Sequence, residues 1–145
     1  MPEKDFIEYK NLCKQLLKVK EQYTGILSRI SAPAGSIHSE IPSYCGLSDR
    51  TSNSTIFLLE FEGKVIQLEN KVLRKRRKLL AELNLVEDCL LKFYMKRYYF
   101  DLFTWREISL RDFNGSVGED TIRIAVKRYF LKKEKKEKKK RRKSS

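Results

Sequence analysis

The sequence predicts an all-α chain in which a long N-terminal, coiled-coil-like helical hairpin precedes three shorter helices and a basic tail. Three observations predict it. Apolar residues recur at heptad spacing over two long stretches. Gly and Pro are scarce and concentrated in a few places, which leaves the remainder free to be helical. A shorter amphipathic run at helical spacing follows the two long ones, over residues 85–99. The chain has 145 residues, about one domain's worth, and is 41% apolar and 35% charged. The core is therefore expected to be thin, made of packed helices.

The first helix is predicted over residues 3–30. Tyr9, Leu16, Tyr23 and Ile30 fall seven apart, and Leu12, Val19 and Ile26 fill the second seam position. Leu17 and Leu27 widen the stripe, as in a helix packed on more than one neighbour. Residues 31–54 are rich in Ser and Thr and contain Pro33, Gly35, Pro42 and Gly46, so a flexible linker is expected there. The second long helix is predicted over residues 55–84. Its seam is Leu58, Phe61, Val65, Leu68, Val72 and Leu79, interrupted by Lys75. Gly63 lies off that seam and weakens the helix by about 1 kcal/mol relative to Ala. Two long helices with matching seams most simply form an antiparallel hairpin, residues 1–84 with the linker. The same seams also fit pairing between two chains, that is, a homodimer through the hairpin.

A shorter amphipathic helix is predicted over residues 85–99, with Val86, Leu90, Phe93, Tyr94 and Arg97 or Tyr98 on one face. Thr104 with Glu107 three residues on makes a capping box, so a helix should start at Trp105. It should stop near Phe113, before the turn dipeptide Asn114-Gly115. The last helix should open near Glu119, with Ile122, Ala125, Val126, Tyr129 and Phe130 on its apolar face. Three close helices, the last two joined by a Gly-containing turn, are the plan of a helix-turn-helix, here residues 85–131.

The net charge is +13, of which residues 132–143 hold +8 and the remainder +5. Both parts attract polyanions, with duplex DNA the first partner and an acidic membrane surface the second. The last helix should expose Thr121, Arg123, Ile124, Lys127 and Arg128. Arg and Lys bond guanine edges or phosphates, and Thr and Ile methyls meet thymine methyls. Arg106 on the preceding helix joins this set. Lys71, Arg74, Lys75 and Lys78 share a face of the second long helix and read either as a solvated face or as phosphate contacts. Trp105 reads as a core anchor, with base stacking the alternative. Residues 132–145 read as a disordered or partly helical basic tail, either solubilising or acting as an electrostatic arm.

These residues also resemble a known group, the small phage-encoded transcriptional regulators of the ArpU and RinA type, whose helix-turn-helix is like region 4 of sigma factors. The resemblance is carried by Arg97-Tyr98, Leu102, Thr104-Trp105 and Glu107-Ile108-Ser109, by Thr121-Ile122-Arg123 at the start of the last helix, and by the Leu47-Ser48-Asp49 turn. It implies a sigma region-4-like fold for the module, regulation of phage or prophage genes, host RNA polymerase as a further partner, and a place in the cytoplasm of a bacterial host. Two features depart from the pattern. Ile108 and Ile122 stand 14 apart, where the family sets the equivalent pair closer, and the last helix continues into lysines.

Enzyme chemistry finds no foothold. The only histidine, His38, sits in the linker, and the cysteines (Cys13, Cys45, Cys89) match no metal spacing. No cofactor or metal is expected. Cys13 and Cys89, set among leucines, read as small buried residues in a reducing compartment. No signal peptide is visible, and no apolar run approaches the roughly 18 residues of a membrane-spanning helix. Two alternatives to a regulator stand beside it: a DNA-packaging component resembling a small terminase subunit, and a structural coiled-coil protein with a basic tail.

Overall fold

Helix α1 (Glu3–Ile30) is followed by α2 (Leu47–Asn84), α3 (Cys89–Met95), a π-helical turn (Lys96–Phe100), α4 (Trp105–Phe113) and α5 (Glu119–Lys143). The computed structural model describes residues 2–30 and 47–145, and among these there is no strand. Of the expected linker, residues 31–46 lie outside the described residues, with His38 and Cys45, and so does the side chain of Ile30. Helix α2 begins at Leu47, eight residues before the expected start. Residues 47–54, including Leu47-Ser48-Asp49, are thus helix and not linker. They contain no Gly or Pro, and Ser, Thr and Asn each cost only a few tenths of a kcal/mol in a helix, roughly, so nothing stops α2 from extending back.

The chain gathers into two compact units. Cys13–Val72 forms one, and the residues up to Leu12 with Leu73–Ser145 form the other. In the first unit α1 and α2 run antiparallel. Tyr23 stacks on Phe61 with ring centres 6.1 Å apart, and Lys20 pairs with Glu69 at 2.6 Å. Val65 and Val72 are buried, while Leu16, Val19, Tyr23, Ile26, Leu58, Phe61 and Leu68 are half-buried, as suits seams in a two-helix layer. Leu17 and Leu27 are exposed.

The second unit holds the denser core. Phe6, near the start of α1, packs on Tyr99 (5.2 Å) and Phe130 (5.5 Å), and Tyr9 packs on Phe100 (5.1 Å). Leu79, Leu83, Val86, Tyr94, Met95, Ile108, Ile122 and Val126 complete it. Burial pushes the Tyr99 phenol well up, helped by Glu3, whose carboxylate accepts its hydrogen bond. Lys75, which breaks the α2 seam, is half-buried and pairs with Glu8.

Three expectations need correction here. Helix α3 starts at Cys89, not Leu85. The Asp88 carboxylate accepts the N–H groups of Leu90 (3.0 Å) and Leu91 (3.4 Å), while Leu85 and Val86 donate back to Glu82 and Leu83. Val86 is therefore buried from a loop, and Leu90, expected on the inner face, is exposed. Cys89 is exposed too, because it occupies the first helical position after the cap.

Candidate nucleic-acid interface

Local chemistry fixes how α4 and α5 meet. The Thr104 hydroxyl accepts the Glu107 N–H (3.2 Å) and the Glu107 carboxylate accepts the Thr104 N–H (2.8 Å), so the expected capping box closes and α4 begins at Trp105. The Thr104 N–H, and then its hydroxyl, hold the Glu107 carboxyl below the usual carboxylate range. Helix α4 stops where expected. Asn114 (φ 49°) and Gly115 (φ 78°) take the left-handed conformation, and Gly115 donates to Ser109 O at 2.9 Å. The Ser109 hydroxyl is buried and donates to Val117 O, tying α4 to the far side of the turn. Gly118 then caps α5, accepting the Ile122 N–H at 3.3 Å.

Behind this turn Ile108, Ile122 and Val126 are fully buried. Thr121, Arg123, Ile124, Lys127 and Arg128, the residues expected to face outward, are all exposed, and so is Arg106 on α4. The structure brings Arg106 and Arg123 together. They line one shallow cleft with Thr104, Trp105, Glu119 and Asp120. Asp120 pairs with Arg123 at 2.7 Å, so the first turn of α5 is locally neutralised. Lys127 and Arg128 follow, and the helix grows more basic through residues 132–143. Lys71, Arg74 and Lys78 are exposed on α2. Arg74 and Lys78 belong to the unit that contains α5, and Lys71 to the other.

The residues expected to form a basic tail prolong α5 as helix to Lys143. Lys133 anchors this extension through a half-buried pair with Glu82 on α2 at 2.6 Å. That bond holds the Glu82 carboxyl below its usual range. Desolvation, the largest single effect, would lower the Lys133 ammonium, but the hydrogen bond to Glu82 together with further hydrogen-bonding and coulombic attractions raises it.

No family model, curated protein or solved structure matches the chain.

The support behind the module contains residues that no sequence pattern flags. Lys10 of α1 is buried, lies 3.1 Å from the centre of the Tyr98 ring, and donates to Phe103 O at 3.3 Å. Trp105 stacks on the same ring at 3.6 Å and 2°. Two groups that close to one ring centre must occupy its opposite faces, so Tyr98 is clamped between a cation and an indole. Trp105 is half-buried and serves as an anchor, as expected. Arg97 bridges Asp101 (3.3 Å) and Asp112 (3.4 Å) and lies over Phe93 and Phe103. These contacts hold Leu102 in the left-handed region (φ 62°), a conformation that costs roughly 1–2 kcal/mol for a residue with a Cβ. Among the described residues no group of three or more His, Cys, Asp or Glu is placed to hold a metal, and no helix is long and apolar enough to cross a membrane.

Proposed function

We propose that the chain is a phage or prophage transcription regulator that binds duplex DNA through a sigma region-4-like helix-turn-helix made of α4 and α5. Helix α5 enters the major groove, which is about 12 Å wide and admits one helix. One observation carries this: α5 is two-sided, with Ile122, Val126 and Phe130 sealed in the core and Thr121, Arg123, Ile124, Lys127 and Arg128 all outside. A helix held rigidly from behind, with polar and methyl-bearing groups in front, has what base readout requires.

The charge pattern assigns different tasks to different parts of α5. Near its start Asp120 restrains Arg123, so this turn contributes geometry more than attraction. Farther along, the lysines and arginines of residues 132–143 supply the sequence-independent attraction to phosphate. Arg106, Arg74 and Lys78, in the same unit as α5, add further phosphate contacts. Host RNA polymerase is the protein partner that the resemblance to phage regulators implies. No catalytic step and no cofactor enter the proposal.

The test is selection of bound fragments from a random duplex pool at moderate salt. Recovery of a defined set of related sequences is expected. Equal retention of every duplex would leave DNA binding intact and refute the regulator.

A further inference from the structure

Helix α2 is apolar on two opposite faces. One face, Leu58, Phe61, Val65, Leu68 and Val72, is the seam turned toward α1. The other carries Leu59, Ile66, Leu73 and Leu80, seven apart, with Ile56, Gly63, Asn70 and Arg77 in the second seam position. At 100° per residue the two seams lie about 160° apart around the helix. Ile56, Leu59, Ile66 and Leu73 are each at least half exposed (50–63%). An exposed apolar stripe of this regularity marks a contact surface.

We infer that this outer seam pairs with a second copy of the chain, antiparallel, as a two-fold symmetric dimer. Charge complementarity selects both the occupant and its direction. The positions flanking the seam are Glu60, Gln67 and Arg74 on one side and Glu62, Glu69 and Arg76 on the other, acidic toward the start of α2 and basic toward its end. Glu60, Glu62, Arg74 and Arg76 are exposed and form no ion pair with another described residue. In one antiparallel register Glu60 meets the partner's Arg74 and Glu62 meets the partner's Arg76, each twice by symmetry. Gly63 then faces the partner's Leu73. A Cβ built at Gly63 would meet nothing within 4 Å, so the position is an open notch for that side chain. Ile56 faces the partner's Leu80. Arg77 lays its aliphatic stem over the partner's Leu59 and keeps its charge at the rim. Gln67 meets its own equivalent without charge, and Glu69, which also meets its own equivalent, is already neutralised by Lys20 at 2.6 Å. Parallel pairing instead stacks Arg77 on Arg77 and sets residues 74–78, five consecutive cations, beside their copies. Like charges so placed repel.

This inference is independent of DNA binding and is tested on the full chain by sedimentation equilibrium. A dimer is expected. Leu59→Lys with Ile66→Lys should give a monomer with an unchanged helical circular dichroism signal, because neither side chain belongs to the α1-facing seam. Glu60→Arg with Glu62→Arg should weaken dimerisation about tenfold by turning four attractions into repulsions. Adding Arg74→Glu and Arg76→Glu on the same chain should restore it. A monomer at every concentration, or a dimer indifferent to Leu59→Lys with Ile66→Lys, overturns the proposal. So does failure of the fourfold charge swap to restore pairing. Asn70→Cys in a background without other cysteines should not cross-link, and a ready disulfide there would show parallel pairing and refute the arrangement.

Discussion

Ile122 and Ile124 stand two residues apart on α5 and carry the same side chain, yet their exposures are 0% and 41%. Replacing each by Ala therefore separates the two faces of the helix. At Ile122 the change removes three buried carbon groups at about 0.8 kcal/mol each and leaves a cavity against Ile108 and Val126, for a total of about 3–4 kcal/mol. For a unit of this size that lowers the melting temperature by roughly 12–25 °C. At Ile124 much of the side chain already meets water, and the loss should stay under about 1 kcal/mol. Affinity should move the other way. Ile124→Ala removes a methyl contact from the reading face and should weaken binding to a selected duplex about fivefold, while leaving the fold intact. Thermal melts followed by circular dichroism, and titration of a labelled duplex below both melting points, measure the two effects. Equal destabilisation by both substitutions would refute the orientation of α5. Unchanged affinity of Ile124→Ala would remove that residue from the reading face.

Three more outcomes follow from particular contacts. Thr104→Ala opens the capping box and should cost about 1 kcal/mol in chemical denaturation, whereas Thr104→Ser should cost far less. Replacing Lys138, Lys139, Lys140 and Arg141 by Gln should flatten the plot of log affinity against log salt by up to roughly 3–4 units, about 0.9 for each lost phosphate contact, without changing which sequences are selected. The Glu82–Lys133 pair fixes a pH dependence. The Glu82 carboxyl is held below 4.5 in the folded chain, so its contribution is present above that value and is lost as pH falls through the lowered folded value. Glu82→Gln should lower stability at neutral pH by about 1 kcal/mol and reduce the difference between melts at pH 7 and pH 3.

Features set by neighbours along the chain are legible in the sequence itself. The α1 and α2 seams, the Thr104–Glu107 box, the Asn114-Gly115 stop and the two-sided α5 each depend on residues within a few positions, and each stands where expected. What the sequence conceals is non-local. Phe6 joins Tyr99 and Phe130 across more than ninety residues of chain, and Lys10 reaches Tyr98 and Phe103 across a similar span. Periodicity reports which face of a helix is apolar but not what covers it, so Lys10 gives no sign of its burial. The same blindness misplaces the start of α3, because Val86 is apolar for the sake of tertiary packing while Asp88 holds the cap. The continuation of α5 through the lysines owes much to Lys133 and Glu82, 51 residues apart. The acidic first turn of α5 is readable as Glu119-Asp120, but its pairing with Arg123 emerges only with the helix in place.

The most direct test of the central claim compares the wild-type chain with Arg123→Ala, Lys127→Ala, Arg128→Ala combined, on one selected duplex and one shuffled duplex at the same salt concentration. These three side chains are exposed, so the fold should survive. The predicted result is a loss of preference for the selected duplex, with affinity for the shuffled one falling only by the share of phosphate attraction that three charges supply. A variant that still prefers the selected duplex as strongly as the wild type would contradict α5 as the reading helix.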